Sequence, residues 1–168
     1  LERFPWYIPL AVGLSSGIVP VDIWWGEIEP APGRFVWTSL DRAVETAVRH
    51  GVQVVGVLHY PADLPPLSRT GRPGWPSGHV DDWDYFVHRL VVRYGSVIDH
   101  WIVVRDRSGE RDPVLGSAEA DIDAVLVQVT ATAIRGAQPD ARILAAAPGA
   151  DLLWLSLFAA RGGLGAVD

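Results

Sequence analysis

Strand-like and helix-like segments alternate along most of this sequence, and that alternation limits the possible fold more than any other feature. Four mainly apolar runs predict buried strands at residues 18–24, 52–59, 98–104 and 143–147, and the run at 52–59 is rich in β-branched residues. Helical spacing of apolar residues, or helical length, predicts helices at residues 40–50, from 81 or 82 to 94, 119–137 and 152–160. This order predicts an α/β fold with a parallel sheet.

An earlier apolar run, residues 6–12, does not fit this order. Only residues 13–17 separate it from the strand at 18–24, whereas parallel neighbours need a connection of about a dozen residues or more. Three interpretations stay open: the run is not a barrel strand, a helix between the two is missing, or this corner of the fold is rebuilt.

Two architectures share the alternation, the doubly wound sheet and the (β/α)-barrel. No G-x-G-x-x-G motif or P-loop follows a predicted strand, which disfavours a nucleotide-binding doubly wound sheet. Polar and aromatic residues stand where strands end, at Asp22, His59, Tyr60, Arg105 and Asp106, and barrel active sites are built at this end. A complete barrel needs at least roughly 200 residues. We therefore expect residues 1–168 to form a single incomplete domain, a partial (β/α)-barrel of about four to five βα units.

Charge and composition exclude several classes of function. A net charge of −6 without a basic stripe argues against nucleic acid as a partner. No stretch approaches the roughly 20 apolar residues of a membrane span, so we expect a soluble chain, either cytoplasmic or secreted. Cysteine is absent and the histidines lack metal-ligand spacing, so no metal or other cofactor is predicted. Eight tryptophans are a large number for this length, and flat aromatic faces suit sugar rings.

The segment that follows the strand at 18–24 carries the most specific motif. Residues 25–37 read W-G-E-I-E-P-A-P-G-R-F-V-W, which resembles the W-x-x-I-E-P-x-x-G-x-[FY]-x-W signature of clan A glycoside hydrolases, the xylosidase-like and β-galactosidase-like barrels. Matching blocks follow in register at residues 40–42, 50–54, 58–61, 82–95 and 97–101. Residues 19–26 also resemble a strand of β-amylases, which are barrels acting on glycosides too, but the later blocks fit clan A better.

The resemblance implies a retaining hydrolase of β-linked glycosides with two catalytic carboxyl groups. The clan's fourth strand ends in W-x-x-x-N-E-P, where the glutamate is the general acid/base; residues 101–107 read W-I-V-V-R-D-R. Asp106 thus holds the acid/base position and Arg105 the asparagine position, while the nucleophile strand has no counterpart in the sequence. Asp106 is one methylene shorter than glutamate, and a displacement of about 1 Å can cost on the order of 100-fold in rate. Flanking arginines would also lower a pKa that a general acid needs raised, so weak or absent activity is predicted.

The resemblance further suggests which side chains contact the sugar. In the clan a histidine on the third strand contacts hydroxyl groups, which implicates His59; alternatively, this histidine is structural. The full predicted set of substrate contacts is Asp22, Trp25, His59, Tyr60, Trp75 and Arg105. Glu27 and Glu29 could be read as a carboxylate pair, but Glu29 belongs to the I-E-P element, which is mainly structural in the clan.

Three hypotheses about function follow. The first is a glycoside hydrolase of which this chain is a piece, with an oligosaccharide or other glycoside as its ligand. The second is a non-catalytic carbohydrate-binding or scaffold relic of such a barrel, motivated by the altered residues 105–107. The third is a half-barrel that closes by self-association or with a missing C-terminal half, because an open parallel sheet exposes its edges.

Overall fold

Four strands lie side by side in the order in which they occur along the chain. The computed structural model describes residues 17–61, 79–105, 117–146 and 152–168. Within these residues one parallel sheet has the order β1-β2-β3-β4, formed by β1 (Ile18–Trp24), β2 (Gln53–Tyr60), β3 (Ile98–Arg105) and β4 (Arg142–Ala145). A doubly wound sheet would reverse its strand order, and no reversal occurs here. The predicted α/β fold is confirmed, and its architecture is that of a partial (β/α)-barrel.

Helices separate the strands, as the hydrophobic spacing predicts. They are α1 (Trp25–Ile28), α2 (Thr38–Arg49), α3 (Val80–Tyr94), α4 (Ser117–Ala137), α5 (Leu152–Ala160) and the 3₁₀ helix η1 (Gly163–Ala166). The four predicted strands and four predicted helices are confirmed with small shifts at their ends. The sequence prediction missed α1 and η1, because four residues are too few to show a helical period. The apolar run at residues 6–12 lies outside the described residues.

The two sides of the sheet differ in what covers them. Along β1 the side chains of Val19, Val21 and Ile23 are buried, whereas Ile18, Pro20 and Asp22 on the opposite side are exposed. Successive residues of a strand point to opposite sides, so the buried side is the one on which the helices pack. We call it the helix-facing side and the other the inner side. In a closed barrel the inner side would line the interior.

Large aromatic side chains fill the core on the helix-facing side. Trp101 of β3 is fully buried there. Its indole Nε1 donates a hydrogen bond to Oε1 of Gln138, 3.0 Å away, and Nε2 of Gln138 donates to the carbonyl oxygens of Gly95 and Ile98. The Gln138 amide therefore ties the end of α4 to the start of β3 and leaves the buried indole N–H satisfied.

Gly56 in the middle of β2 allows the Trp101 ring to lie directly against the backbone. A Cβ atom at position 56 would stand 2.6 Å from Cε3 and Cζ3 of that ring. The ring is buried and held by Gln138, so it has little freedom to move away. Glycine is required here by close packing, since its φ does not lie in the left-handed region.

Replacing Gly56 with alanine should therefore destabilise the protein. We expect a loss of about 1–3 kcal/mol in the free energy of unfolding, the usual cost of forcing extra volume into a packed core. Urea denaturation measures it. Gly136→Ala is the matched control: position 136 lies exposed in α4 with nothing within 4 Å of the added Cβ, and alanine there should stabilise the helix by up to about 1 kcal/mol. Equal effects of the two substitutions would contradict the packing argument.

Candidate functional site

Asp22 and His59 meet at the carboxyl ends of β1 and β2. In the sheet register Asp22 lies beside Val57 and Trp24 beside His59, so all four side chains project from the inner side. Nε2 of His59 lies 2.7 Å from Oδ1 of Asp22. Because a carboxylate only accepts, the imidazole donates through Nε2. The predicted pair of polar side chains is thus brought together at the strand ends.

The two members of this pair differ in their access to solvent. The side chain of Asp22 is 59% exposed, whereas that of His59 is only 14% exposed. Among the described residues, Oδ2 of Asp22 has no hydrogen-bond partner. The histidine therefore orients the carboxylate and, among the described residues, occupies only one of its two oxygens.

Trp24 completes the cluster and was not predicted. Its indole stacks on the His59 imidazole with ring centroids 4.0 Å apart and an interplanar angle of 11°. Trp24 is half-buried, so part of its ring surface remains accessible beside Asp22. We call Asp22, Trp24 and His59 the strand-end cluster. The alternation of residues along a strand would have predicted Trp24, because Asp22 and Trp24 are two residues apart and so share a side of β1.

Trp25, a predicted sugar contact, lies in the core and not at the strand-end surface. Trp25 is fully buried, with its ring packed against Tyr60, Trp83 and Phe86. The chain leaves β1 after Trp24 and turns into α1, which directs the next indole into the core. Trp24, the first of the two adjacent tryptophans, therefore reaches the strand-end surface, and Trp25 does not.

Tyr60 also differs from its predicted role as a sugar contact. It is the last residue of β2 and lies on the helix-facing side, only 2% exposed, edge-on to Trp83. Burial raises the pKa of its hydroxyl well above the usual range. The ring is part of the core beneath the cluster.

Arg105 points away from the inner side as well. It shares the helix-facing side of β3 with Trp101 and Val103, and its Nε donates to Oδ1 of Asp123 in α4 at 2.7 Å. Both side chains are largely buried. A buried ion pair of this kind needs both partners, since removing one leaves an uncompensated charge. Arg105, a predicted sugar contact, therefore connects β3 to α4 on the helix-facing side.

Glu29 has the structural role expected of the I-E-P element. The carboxyl group is fully buried, and it accepts hydrogen bonds from Nε1 of Trp25 at 2.9 Å and from the backbone N–H of Gly33 at 2.7 Å. Gly33 has a φ of 72°, which favours glycine. The side chain of Glu29 thus holds the tight turn between α1 and α2.

Two predicted site residues, Asp106 and Trp75, lie outside the described residues. Within the residues that the structure does describe, no three His, Cys, Asp or Glu side chains converge as a metal site would require. In the same part of the chain, no helix combines the length and the apolar character needed to cross a membrane.

Comparison with known proteins places the fold among glycoside hydrolase barrels. No protein-family model matches the chain, and no curated protein does. A family 39 glycoside hydrolase from Bacteroides cellulosilyticus WH2 superimposes with a TM-score of 0.71 at 15% identity, covering 95% of this chain and 33% of that one. A family 1 β-glucosidase from Thermotoga maritima superimposes with a TM-score of 0.62 at 17% identity, covering 82% of this chain and 36% of that one. The virulence factor SghA from Agrobacterium tumefaciens superimposes with a TM-score of 0.60 at 19% identity, covering 81% of this chain and 34% of that one. The chain spans about a third of the length of these structures, and at such identities the likeness is one of fold.

Proposed function

We propose that this chain is part of a glycoside hydrolase barrel and binds a β-linked glycoside at the strand-end cluster. The observation that carries the proposal is the convergence of Asp22, Trp24 and His59 on the inner side at the carboxyl ends of β1 and β2. Barrel active sites are built at this end of the strands. The fold shared with glycoside hydrolases supports the same assignment.

The cluster has the chemistry that sugar binding requires. The free oxygen of Asp22 can accept a hydrogen bond from a hydroxyl group, and charge-assisted bonds of this type are the stronger ones. The accessible part of Trp24 offers an apolar surface to the C–H face of a pyranose ring. His59 holds both groups in place, so a ligand would meet a preorganised surface.

For the reaction, we propose retaining hydrolysis with Asp106 in the acid/base position, as the sequence resemblance implies. A retaining glycosidase places its two carboxyl groups about 5–5.5 Å apart, so the second would come from a strand beyond those described. The alternative is a domain that binds carbohydrate without cleaving it. The change from asparagine to arginine at position 105, and the engagement of that arginine with Asp123, favour this alternative.

Calorimetry with xylo- and gluco-oligosaccharides tests binding, and aryl β-glycosides of xylose, galactose and glucose test hydrolysis, both on the full-length protein. We expect His59→Ala to weaken binding by about tenfold, equivalent to the loss of roughly 1.4 kcal/mol. His88→Ala should leave it unchanged, because His88 is exposed on α3, away from the strand ends. If no sugar binds the wild type, the proposal fails.

Three forms of residue 106 separate the two candidate functions. Asp106→Glu restores the missing methylene and should raise hydrolysis if this side chain is the acid/base, while Asp106→Ala should abolish it. Binding without hydrolysis in the wild type and in both variants would instead establish the non-catalytic alternative.

A further inference from the structure

Two exposed carboxylates at and just after the carboxyl end of β1, those of Asp22 and Glu27, have no arginine partner among the described residues. Asp22 is more than half exposed and uses one oxygen for His59. Glu27, in the helical turn that follows β1, is exposed and has no ion pair among the described residues. No described arginine contacts Asp22, Trp24 or His59.

Two described arginines, Arg34 and Arg105, do not pair with these carboxylates. Arg105 ends β3 but turns to the helix-facing side, where Asp123 holds it. Arg34 is exposed in the turn between α1 and α2 and makes no contact with the cluster. The segments that follow β2, β3 and β4, residues 62–78, 106–116 and 147–151, contain five acidic residues and four arginines. By composition these segments carry no net positive charge.

We infer that Asp22 is a specificity-determining residue that selects the charge of the glycoside. The site takes a β-linked amino sugar bearing an ammonium group in preference to the neutral sugar, and it disfavours the corresponding uronate. This inference rests on the proposed function, because it assigns the ligand class of the same site.

Two interactions favour the ammonium group. Oδ2 of Asp22 lies free for a charge-assisted hydrogen bond, while Oδ1 stays on His59. The indole of Trp24 stands on the same side of β1, and an ammonium group near its accessible surface gains a cation–π attraction. A uronate carboxylate at the same place would meet the like charge of Asp22 with no described arginine to receive it.

Three trisaccharides of one linkage test the inference: the β-1,4-linked trimers of glucose, glucosamine and glucuronate. Calorimetry is run at a pH where the amino groups are protonated and the uronates ionised. Because the Asp22 carboxylate is largely solvated, we expect the glucosamine trimer to bind about fivefold more tightly than the glucose trimer and the glucuronate trimer about fivefold more weakly. Added salt should compress these differences and leave the neutral trimer unaffected.

Asp22→Asn keeps an acceptor for His59 and removes the charge. It should bring the three affinities to within about twofold of one another, while Arg34→Gln, the matched control in the neighbouring turn, should preserve their order. Equal affinities in the wild type, tightest binding of the glucuronate trimer, or an unchanged order in Asp22→Asn would each overturn the inference and leave the proposed function standing if the glucose trimer binds. If none of the three trimers binds, the inference fails, and if the xylo-oligosaccharides do not bind either, the proposed function fails with it.

Discussion

Replacing Glu29 with alanine should lower the free energy of unfolding by about 4 kcal/mol. The substitution removes the acceptor of two donors, the buried Nε1 of Trp25 and the partly buried backbone N–H of Gly33. Each such orphaned group costs about 1–3 kcal/mol. The turn between α1 and α2 would also lose the side chain that fixes it. Urea denaturation of wild type and variant gives the difference directly.

Glu27→Ala is the matched control, because Glu27 lies two residues earlier, is exposed and makes no ion pair among the described residues. Its effect should stay within about 0.5 kcal/mol, as for most surface substitutions. Similar effects of the two alanine variants would show that the buried hydrogen bonds of Glu29 do not matter. They would also remove the structural explanation of the I-E-P element.

The pH dependence of Glu29→Gln gives an independent test. Burial raises the pKa of the Glu29 carboxyl above its ordinary 4.5, and the hydrogen bonds from Trp25 and Gly33 offset this only in part. The folded protein therefore favours the protonated form, and wild-type stability falls relative to the glutamine variant as pH rises through and above 4.5. The glutamine side chain can satisfy only one of the two donors, since its second polar atom is itself a donor. The difference in the free energy of unfolding between wild type and Glu29→Gln should hence be largest in acid and decrease as pH rises. If this difference did not depend on pH, the raised pKa of Glu29 would be contradicted.

The fold could be predicted because its elements have strong local signals. The run at residues 18–24 is bounded by Gly17 and the W-W-G turn, and Gly51 and Gly95 mark the ends of two helices. The choice between barrel and doubly wound sheet could not be made from periodicity, because both have the same alternation. The neighbours of each strand decide that question, and they depend on contacts between residues far apart in the sequence.

The predicted site residues divide between the two sides of the sheet, and strand alternation explains the division. Asp22 and His59 were identified from their positions at strand ends, and they do meet. Tyr60 and Arg105 also stand at strand ends, but a strand end presents residues to both sides of the sheet. Tyr60 and Arg105 fall on the helix-facing side, and Trp25 begins a helix. Residues two apart in a strand share a side of the sheet, so Asp22 and Trp24 lie on the same side of β1. The alternation along β1 therefore predicts the surface residues better than proximity to the strand end does.

The adjacent tryptophans should therefore give opposite results when each is replaced with alanine. Trp25→Ala removes a fully buried ring from a cluster of aromatic side chains and leaves Oε2 of Glu29 without its donor. We expect a loss of about 3–5 kcal/mol in the free energy of unfolding, as for other buried tryptophans. Trp24→Ala should cost about 1 kcal/mol in stability, because that ring is half-buried and stacks on His59 at the surface of the strand ends.

For the affinity for an oligosaccharide, substitution of Trp24 should have the larger effect and substitution of Trp25 the smaller. Trp24→Ala removes the apolar surface beside Asp22, and we expect the affinity for a bound oligosaccharide to fall by about tenfold or more, the equivalent of roughly 1.4 kcal/mol. Trp25→Phe, which keeps most of the buried ring, should stay folded and bind nearly as well as the wild type, because position 25 does not reach the inner side. Chemical denaturation and calorimetry on the same preparations measure both quantities. If Trp25→Phe lost binding while Trp24→Ala kept it, the sugar would lie on the other side of the strand end, and the strand-end cluster would not be the binding site.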